Sequence, residues 1–251
     1  MDRPKQLLLI NQYFAPSTAA TAVLLRELVE DLAPFFSLTI LCESSADGDE
    51  RAVEYRIERR PLPSWIPEER AVASKALRWV SSFLFMVRAV FFLLVSKRYD
   101  VVVLASEPPF IDLVAGMICW LLKRPFVILT QDLYPEFAEG VRVQPVALFA
   151  WPLKKLHSFV ARKANRVIAI SPDHVELLAT RGVRTTTIIP NWAPSIAITS
   201  EPSPMPPADG PMIIQYSGNL GLACDLNAFE TALRGLASTG DLSRFQFILR
   251  G

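Results

Sequence analysis

The chain has 251 residues, of which 51% are hydrophobic, and 26 basic residues are balanced by 25 acidic ones. This length allows one large domain or two small ones, and the charge balance lacks the basic excess of nucleic-acid-binding proteins, so no nucleic-acid partner is expected. Because three distant cysteines and two histidines form no recognisable metal site, no metal or cofactor is expected, and the cysteines are interpreted as buried thiols in a reducing compartment.

The chain opens with a short apolar run at residues 6–10, which Asn11 and Gln12 end. The run is too short for a secretory signal and is typical of a parallel strand covered on both faces. We therefore interpret it as the first strand of a cytoplasmic protein.

Strand and helix patterns then alternate, which predicts a parallel sheet with right-handed crossovers. This first domain is predicted to span residues 1–190. Its strands are predicted at 6–10, 37–42, 55–60, 101–105, 126–129, 166–170 and 186–189, and its helices at 21–34, 69–97, 111–122, 147–163 and 173–180. The last helix is expected to be capped by Ser171 or Asp173.

Residues 191–211 contain six prolines and little periodicity, which indicates an interdomain linker. A second α/β domain is predicted to begin after it, with strands at 212–216 and 245–249 and a helix at 225–236. Since one strand-helix-strand unit does not make a whole domain of this kind, we expect residues 212–251 to be an incomplete second domain of a truncated chain.

The long helix at 69–97 has three interpretations. Residues 79–95 approach the length of a membrane span, but Arg88 lies in the middle, where a charge would cost about 2.5 kcal/mol. Several aromatic residues and flanking cations suit a helix lying at an anionic membrane surface. The third interpretation is a helix packed in the protein core.

Four loops follow the carboxyl ends of predicted strands, where doubly wound sheets bind ligands. Residues 11–20 are rich in small side chains, and 106–109 is interpreted as a rigid turn. Residues 131–136 place an amide and two carboxylates after one strand; they suit sugar hydroxyls, although Asp132 could simply cap a helix. Glycines at 217–221 would permit close approach to a phosphate, or could form only a turn.

Taken in order, these segments resemble the family 4 glycosyltransferases of GT-B fold, in the bacterial branch that builds surface polysaccharides. The matching segments are Gln12-Tyr13-Phe14-Ala15-Pro16, Gln131-Asp132-Leu133-Tyr134-Pro135-Glu136, Arg166-Val167-Ile168-Ala169-Ile170-Ser171, Ile189-Pro190-Asn191-Trp192 and Tyr216-Ser217-Gly218-Asn219-Leu220-Gly221. The resemblance implies an α/β fold with two Rossmann-like domains.

The resemblance also implies retaining, metal-independent sugar transfer from a nucleotide-sugar donor. The acceptor would be a lipid-linked saccharide or carrier, which places the protein peripherally on the inner face of the cytoplasmic membrane. Residues expected to contact donor phosphates are Ser217, Gly218, Asn219, Leu220 and Gly221. Residues expected to line the acceptor side of the cleft are Asn11, Tyr13, Ser17, Thr18, Gln131, Asp132 and Glu136.

The chain departs from the family pattern at three places. Ala19-Ala20 stands where the opening loop often carries glycines, and Leu222-Ala223-Cys224 offers no basic residue after the second glycine loop. The family's Glu-x7-Glu element has no counterpart, so no catalytic residue is assigned and weak or absent activity of this chain alone is expected. The alternatives are a catalytically inactive chain that binds a glycan or protein partner, and a GT-B sugar-nucleotide epimerase.

Overall fold

The computed structural model describes most of the chain. The described residues are 4–17, 19–43, 56–59, 75–96, 99–134, 136, 150–192, 210–218 and 225–250. Contacts divide the chain into two units, Met1–Ala197 and Ile198–Gly251. The predicted linker at 191–211 lies mostly outside the described residues, although Trp192 still donates a 2.7 Å hydrogen bond from Nε1 to Glu27 in the first unit.

The first unit is a seven-stranded parallel sheet in the order β3-β2-β1-β4-β5-β6-β7. Its strands are β1 (Lys5–Ile10), β2 (Phe36–Cys42), β3 (Arg56–Arg59), β4 (Val101–Leu104), β5 (Phe126–Thr130), β6 (Arg166–Ala169) and β7 (Thr186–Ile188). Its described helices are α1 (Ala20–Leu32), α2 (Lys75–Val95), α3 (Ile111–Leu121), α4 (Ala150–Lys163) and α5 (Pro172–Thr180).

The order in which successive strands are added to the parallel sheet reverses between β1 and β4. The chain proceeds from β1 to β2 on one side and from β4 to β5 on the other, and Leu8 pairs with Thr39 and with Val102. Such a topological switch leaves a crevice at the carboxyl ends of the two central strands. The loops after β1 and β4 therefore begin at the place where this fold class binds ligands.

Alternate residues of β1 pack in two separate hydrophobic cores, one on each face of the sheet. Leu7 and Leu9 join α1 residues Leu25 and Val29 in one core. Leu8 and Ile10 join the opposite core, which contains residues of α2, α3, α4 and α5. Strand β1 is thus buried on both faces, which explains its continuous apolar sequence.

Helix α2 uses one stripe for the core and leaves the opposite stripe uncovered. Phe85, Ala89 and Leu93, spaced four residues apart, are fully buried. The opposite face exposes apolar side chains, namely Trp79, Val80, Phe83, Val87, Phe91, Leu94 and Val95. Residues 76–95 are long and apolar enough to cross a membrane, yet only 22% of the most apolar window is buried, far less than in an ordinary core helix.

The order of the elements agrees with the sequence-based expectation, and the bounds differ by a few residues. Helix α5 begins at Pro172, because the Ser171 hydroxyl accepts a 3.3 Å hydrogen bond from the amide of His174 and caps the helix. Ser171 rather than Asp173 is therefore the cap. The ends predicted for the long helix, 69–74 and 97, lie outside the described residues.

The second unit contains a parallel pair, β8 (Met212–Ser217) and β9 (Phe245–Arg250), joined by α6 (Leu226–Ser238) and a 3-10 turn (Asp241–Arg244). Phe229 of α6 packs edge-on against Phe247 of β9, with ring centroids 5.8 Å apart. None of its described residues is fully buried, and Met212, Leu226 and Leu249 expose more than half of their side-chain surface.

Candidate functional site

The loops after β1 and β4 are hydrogen-bonded to each other at the switch point. The Asn11 Oδ1 atom accepts a 3.2 Å hydrogen bond from the amide of Glu107, and the Gln12 amide donates to the Glu107 carbonyl at 2.8 Å. Asn11 is fully buried, and its Nδ2 atom donates to the Tyr13 carbonyl at 2.7 Å. The predicted cleft residue Asn11 thus shapes both loops, because its amide is engaged within the protein.

Glu107 is a carboxylate at this edge that the sequence interpretation treated as part of a rigid turn. Its Oε2 atom accepts a 3.0 Å hydrogen bond from the Thr21 hydroxyl at the start of α1. This contact joins the β4 loop to α1. Nearby, the predicted site residue Ser17 lies in the turn before α1, where its hydroxyl accepts a 3.3 Å hydrogen bond from Ala19; Thr18 lies outside the described residues.

A buried polar cluster supports the β1 loop from behind. The Gln12 Nε2 atom donates to Glu43 Oε2 at 2.5 Å and to the Ser81 hydroxyl at 3.0 Å, and Ser81 also donates to Glu43. The Gln12 Oε1 atom accepts from Ser82 at 3.3 Å. Since Ser81 and Ser82 belong to α2, the cluster ties that helix to the strand ends rather than leaving it apart from the domain.

Ser106 connects the β4 loop to the loop after β5. Its hydroxyl donates to the Leu129 carbonyl at 3.0 Å and accepts hydrogen bonds from the amides of Gln131 and Asp132, at 2.9 and 3.4 Å. One small side chain therefore sets the direction in which the chain leaves β5. The loops after β1, β4 and β5 form one continuous hydrogen-bonded surface.

The middle of the β5 loop is held by apolar contacts. Leu133 is buried in the core formed with α2 to α5, and the Tyr134 ring lies against Phe110, with centroids 5.4 Å apart. Phe110 has a left-handed backbone, with φ of 68°, which costs a non-glycine residue about 1 kcal/mol or more. The strained residue and the aromatic contact lie next to the sugar-facing segment predicted from the sequence.

Two acidic groups on this surface have perturbed proton affinity. Desolvation raises the pKa of Asp132, although its residue remains exposed overall, and the nearby His174 opposes that rise. Burial, followed by the negative charges of Asp132, Glu107 and Asp112, raises the pKa of Tyr134. Tyr134 therefore stays a neutral phenol at physiological pH, able to donate a hydrogen bond.

Glu136, at the far end of the β5 loop, is held by cations beneath the surface. It forms an ion pair with Arg181, which follows α5, and its Oε1 atom lies 3.7 Å from Lys154 Nζ on α4. These contacts make Glu136 an anchor of the loop, and its predicted place in the cleft stays a prediction. Among the predicted acceptor-side residues, Gln131 and Asp132 are the ones that begin the loop at the switch-point edge.

In the second unit, Ser217 and Gly218 end β8. Gly218 has φ of 141°, a conformation that other residues rarely adopt, and its amide donates to the Arg250 carbonyl at 2.8 Å. The Ser217 hydroxyl accepts a 2.7 Å hydrogen bond from the Gln215 side chain. The remaining predicted phosphate contacts, Asn219, Leu220 and Gly221, lie outside the described residues.

Helix α6 already has an acidic cap. The Asp225 Oδ1 atom accepts hydrogen bonds from the amides of Asn227 and Ala228, at 3.1 and 3.0 Å. A phosphate at this helix end would compete for the same amides and meet a like charge. Any phosphate contact in this unit is therefore expected in the 217–221 loop rather than at the helix end.

Within the described parts of the chain, no cluster of three or more His, Cys, Asp or Glu side chains is arranged to hold a metal ion. Cys42 and Cys119 are both buried, and burial raises the pKa of Cys119 to about 12, against the opposing effect of Arg124. A buried, neutral thiol is unsuited to metal binding or nucleophilic attack.

The family model for the glycosyl transferase 4-like domain matches residues 19–192. The chain belongs to this family. The match covers more than half of the 251 residues. It includes the loops after β4 and β5, but only the end of the loop after β1, from residue 19 onward. The expected family 4 membership is thereby confirmed.

Curated and structural relatives agree with this assignment. The "Probable glycosyltransferase WbjE" of Pseudomonas aeruginosa is 22% identical over 231 residues, which are 86% of this chain and 56% of that protein. The chain therefore spans little more than half the length of this curated relative. The expected surface-polysaccharide branch is not tested by this match.

Solved structures of low sequence identity share the fold. The Anabaena protein Alr3699/HepE in complex with UDP is 12% identical with a TM-score of 0.54, over 98% of this chain and 69% of that one. Sucrose-phosphate synthase from Thermosynechococcus elongatus is 14% identical with a TM-score of 0.57, over 98% and 71%. The likeness confirms the predicted α/β, GT-B-like fold.

Proposed function

We propose that this protein transfers a sugar from a nucleotide-sugar donor to an acceptor, with retention of configuration and without a metal ion. The observation that carries the proposal is the hydrogen-bonded surface at the switch point, which connects the loops after β1, β4 and β5 through Asn11, Glu107 and Ser106. Family membership supports the reaction class, and ligand binding at a switch point is the general behaviour of such sheets.

The first unit is proposed to handle the acceptor. Gln131 offers an amide, Asp132 a carboxylate and Tyr134 a neutral phenol, three groups that suit the donor and acceptor pattern of sugar hydroxyls. The raised pKa of Asp132 leaves it easier to protonate than an ordinary aspartate. A hydrogen bond between its carboxylate and a sugar hydroxyl would be strong, because it is charge-assisted.

A nucleoside diphosphate sugar is the proposed donor, with Ser217, Gly218, Asn219, Leu220 and Gly221 near its phosphates. The Anabaena protein of similar fold was crystallised with UDP and with UDP-glucose, which supports this donor class. The positive φ of Gly218 supports close backbone approach. The acidic cap of α6 argues that the phosphates contact the loop itself.

The acceptor is proposed to be a lipid-linked saccharide or carrier, reached from the cytoplasmic surface of an anionic membrane. Helices α2, α3 and α4 pack side by side, and each exposes aromatic side chains, including Trp79, Trp120 and Trp151. Exposed cations accompany them: Lys155 Nζ lies 3.8 Å from the Trp151 ring centroid. Aromatic residues mixed with lysines match the polar and apolar layers of a membrane surface.

The reaction is tested with a panel of nucleoside diphosphate sugars and a bacterial lipid extract. We expect one donor to lose its sugar to the lipid fraction, with release of the nucleoside diphosphate. An epimerase would convert the donor without any acceptor, and a glycan-binding chain would retain the lipid without consuming a donor. Either of those results, obtained with the folded full-length gene product, would contradict the proposed transfer.

A further inference from the structure

A series of ionisable side chains in contact with one another lies beneath the β5 loop, from α3 through α4 to the end of α5. The His157 Nε2 atom lies 2.7 Å from Asp112 Oδ2, and both side chains are buried. On the other side of the ring, Arg181 Nη1 lies 3.4 Å from His157 Nδ1. Arg181 also pairs with Glu136, at the end of the loop that Gln131 begins.

While His157 is neutral, these contacts allow one arrangement of donors and acceptors. If Arg181 donates to Nδ1, that nitrogen must carry a lone pair, and Nε2 must then carry the proton that is donated to Asp112. Asp112 is fixed in turn, since its Oδ1 atom accepts a 2.9 Å hydrogen bond from the Leu113 amide. Each side chain therefore restricts the rotamer of the next.

Arg181 is the member that reaches the loop. Only 8% of its side-chain surface is exposed, so its charge requires a close partner, and Glu136 supplies one at 23% exposure. The backbone of the loop is fixed by Ser106 at its beginning and by Leu133 in its middle. The ion pair provides the third point of attachment, at its end.

We propose that Arg181 is a positioning residue, which fixes the sugar-facing Gln131–Glu136 loop through its ion pair with Glu136 while His157 and Asp112 hold its guanidinium in place. Arg181 itself contacts no proposed substrate. This inference rests on the proposed function only for the role of the loop; the attachment of the loop depends on the described contacts alone.

The attachment is tested by amide hydrogen exchange at residues 131–134 in Arg181→Met. We expect exchange there to accelerate by about tenfold or more, while β1 and β4 change little, because one anchor of the loop is lost. Arg181→Lys should restore part of the protection. Arg184→Met, which removes an exposed cation three residues away, should leave the loop unchanged.

A second readout uses the histidine rings, since the chain contains only His157 and His174. Arg181→Met should shift the ring nitrogen signals of His157 and leave those of His174 in place. If Arg181→Met does not fold, Glu136→Gln, which keeps the side-chain shape, should give the same local loosening of the loop. Unchanged exchange at 131–134 in a folded variant of either kind would overturn the inference.

Catalytic measurements separate this inference from the proposed function. If the proposed sugar transfer and the positioning role are both correct, Arg181→Met should raise KM for the acceptor more than it lowers kcat. Arg181→Lys should then restore part of kcat/KM. If the loop loosens while sugar transfer is unaffected, Arg181 still positions the loop, but the loop does not bind substrate. If amide exchange at residues 131–134 is unchanged in Arg181→Met, Arg181 does not position the loop, whatever the rate of sugar transfer.

Discussion

At the scale of single residues, the least expected feature is the pairing of Asp112 with His157 in the interior. Burial alone would lower the pKa of His157, but the charge of Asp112 and the hydrogen bond to it outweigh that effect, so the pKa is raised. Arg181 opposes the rise and Glu136 adds to it. The folded protein therefore binds the proton that charges His157 more tightly than the unfolded chain does. With that proton bound, Nδ1 no longer accepts a hydrogen bond from Arg181.

The pair makes stability depend on pH in a defined direction. Because the native pKa is raised, its contribution is fully present below the ordinary histidine value of about 6.5 and is lost as the pH rises through the native value. We expect Asp112→Asn to reduce the free energy of unfolding by about 3 kcal/mol at low pH, and by less above that range. Urea denaturation at several pH values measures this.

The exposed Asp31 on α1 provides the control for that experiment. Asp31→Asn should change the free energy of unfolding by less than about 0.5 kcal/mol at every pH, because it lies on the surface. If the free energy of unfolding that Asp112→Asn loses became larger towards alkaline pH, the pKa of His157 would not be raised as assigned.

A comparison of two glycines tests local packing. A Cβ atom on Gly116 would lie 2.6 Å from Val160 Cγ1, whereas one on Gly235 in α6 meets nothing within 4 Å. Gly116→Ala should therefore destabilise α3 by about 1–3 kcal/mol, while Gly235→Ala should stabilise α6 by about 0.5–1 kcal/mol. Site-resolved hydrogen exchange measures the change in stability of each helix. If the two substitutions both stabilised or both destabilised their helices, the assigned packing would be wrong.

At the scale of the elements, α2 shows the core packing that one interpretation of its sequence expected. One stripe packs in the core, and Ser81 is hydrogen-bonded to Gln12 and Glu43 at the strand ends. A helix crossing a membrane would give up these contacts, so the span interpretation does not fit this fold. The uncovered stripe agrees with the proposed interfacial role, which remains a prediction.

Membrane binding through this helix is tested with vesicles containing anionic lipid. We expect the protein to sediment with them, and Phe83→Glu combined with Phe91→Glu to release it, because both rings are at least 60% exposed. Phe35→Glu, which charges an exposed ring between α1 and β2, is the matched control. Equal sedimentation of the folded double variant and the control would exclude α2 as the binding surface.

The sequence predicted the order of elements well because parallel strands buried on both faces leave continuous apolar runs. Strand β1 and helix α5 were found within a residue of their observed bounds. The polar pairs were not predictable in the same way. Asp112 and His157 are 45 positions apart, and no local pattern connects them. Glu107 was assigned to a rigid turn because the neighbouring prolines made a turn the simpler interpretation.

At the scale of the whole molecule, each of the two units carries candidate residues of its own. The first unit supplies a joined surface with Gln131 and Asp132 at its edge, supported from below by Ser106 and Arg181. The second supplies Ser217 and Gly218, at the end of β8. Their position at strand ends and the family resemblance made these residues candidates, and the geometry shows which of them are held by contacts within the protein.

We propose that the switch-point edge of the first unit binds the sugar substrate. It is tested by the rate of sugar transfer from the preferred nucleotide-sugar, measured in the full-length gene product for Asp132→Asn and for Glu176→Gln, an exposed carboxylate on α5. We predict that Asp132→Asn lowers the rate about 100-fold and that Glu176→Gln leaves it unchanged. A 100-fold loss corresponds to about 2.7 kcal/mol, the size expected for losing one or two hydrogen bonds to a charged group. Equal rates in the two folded variants would show that Asp132 and this edge of the sheet do not bind the sugar substrate.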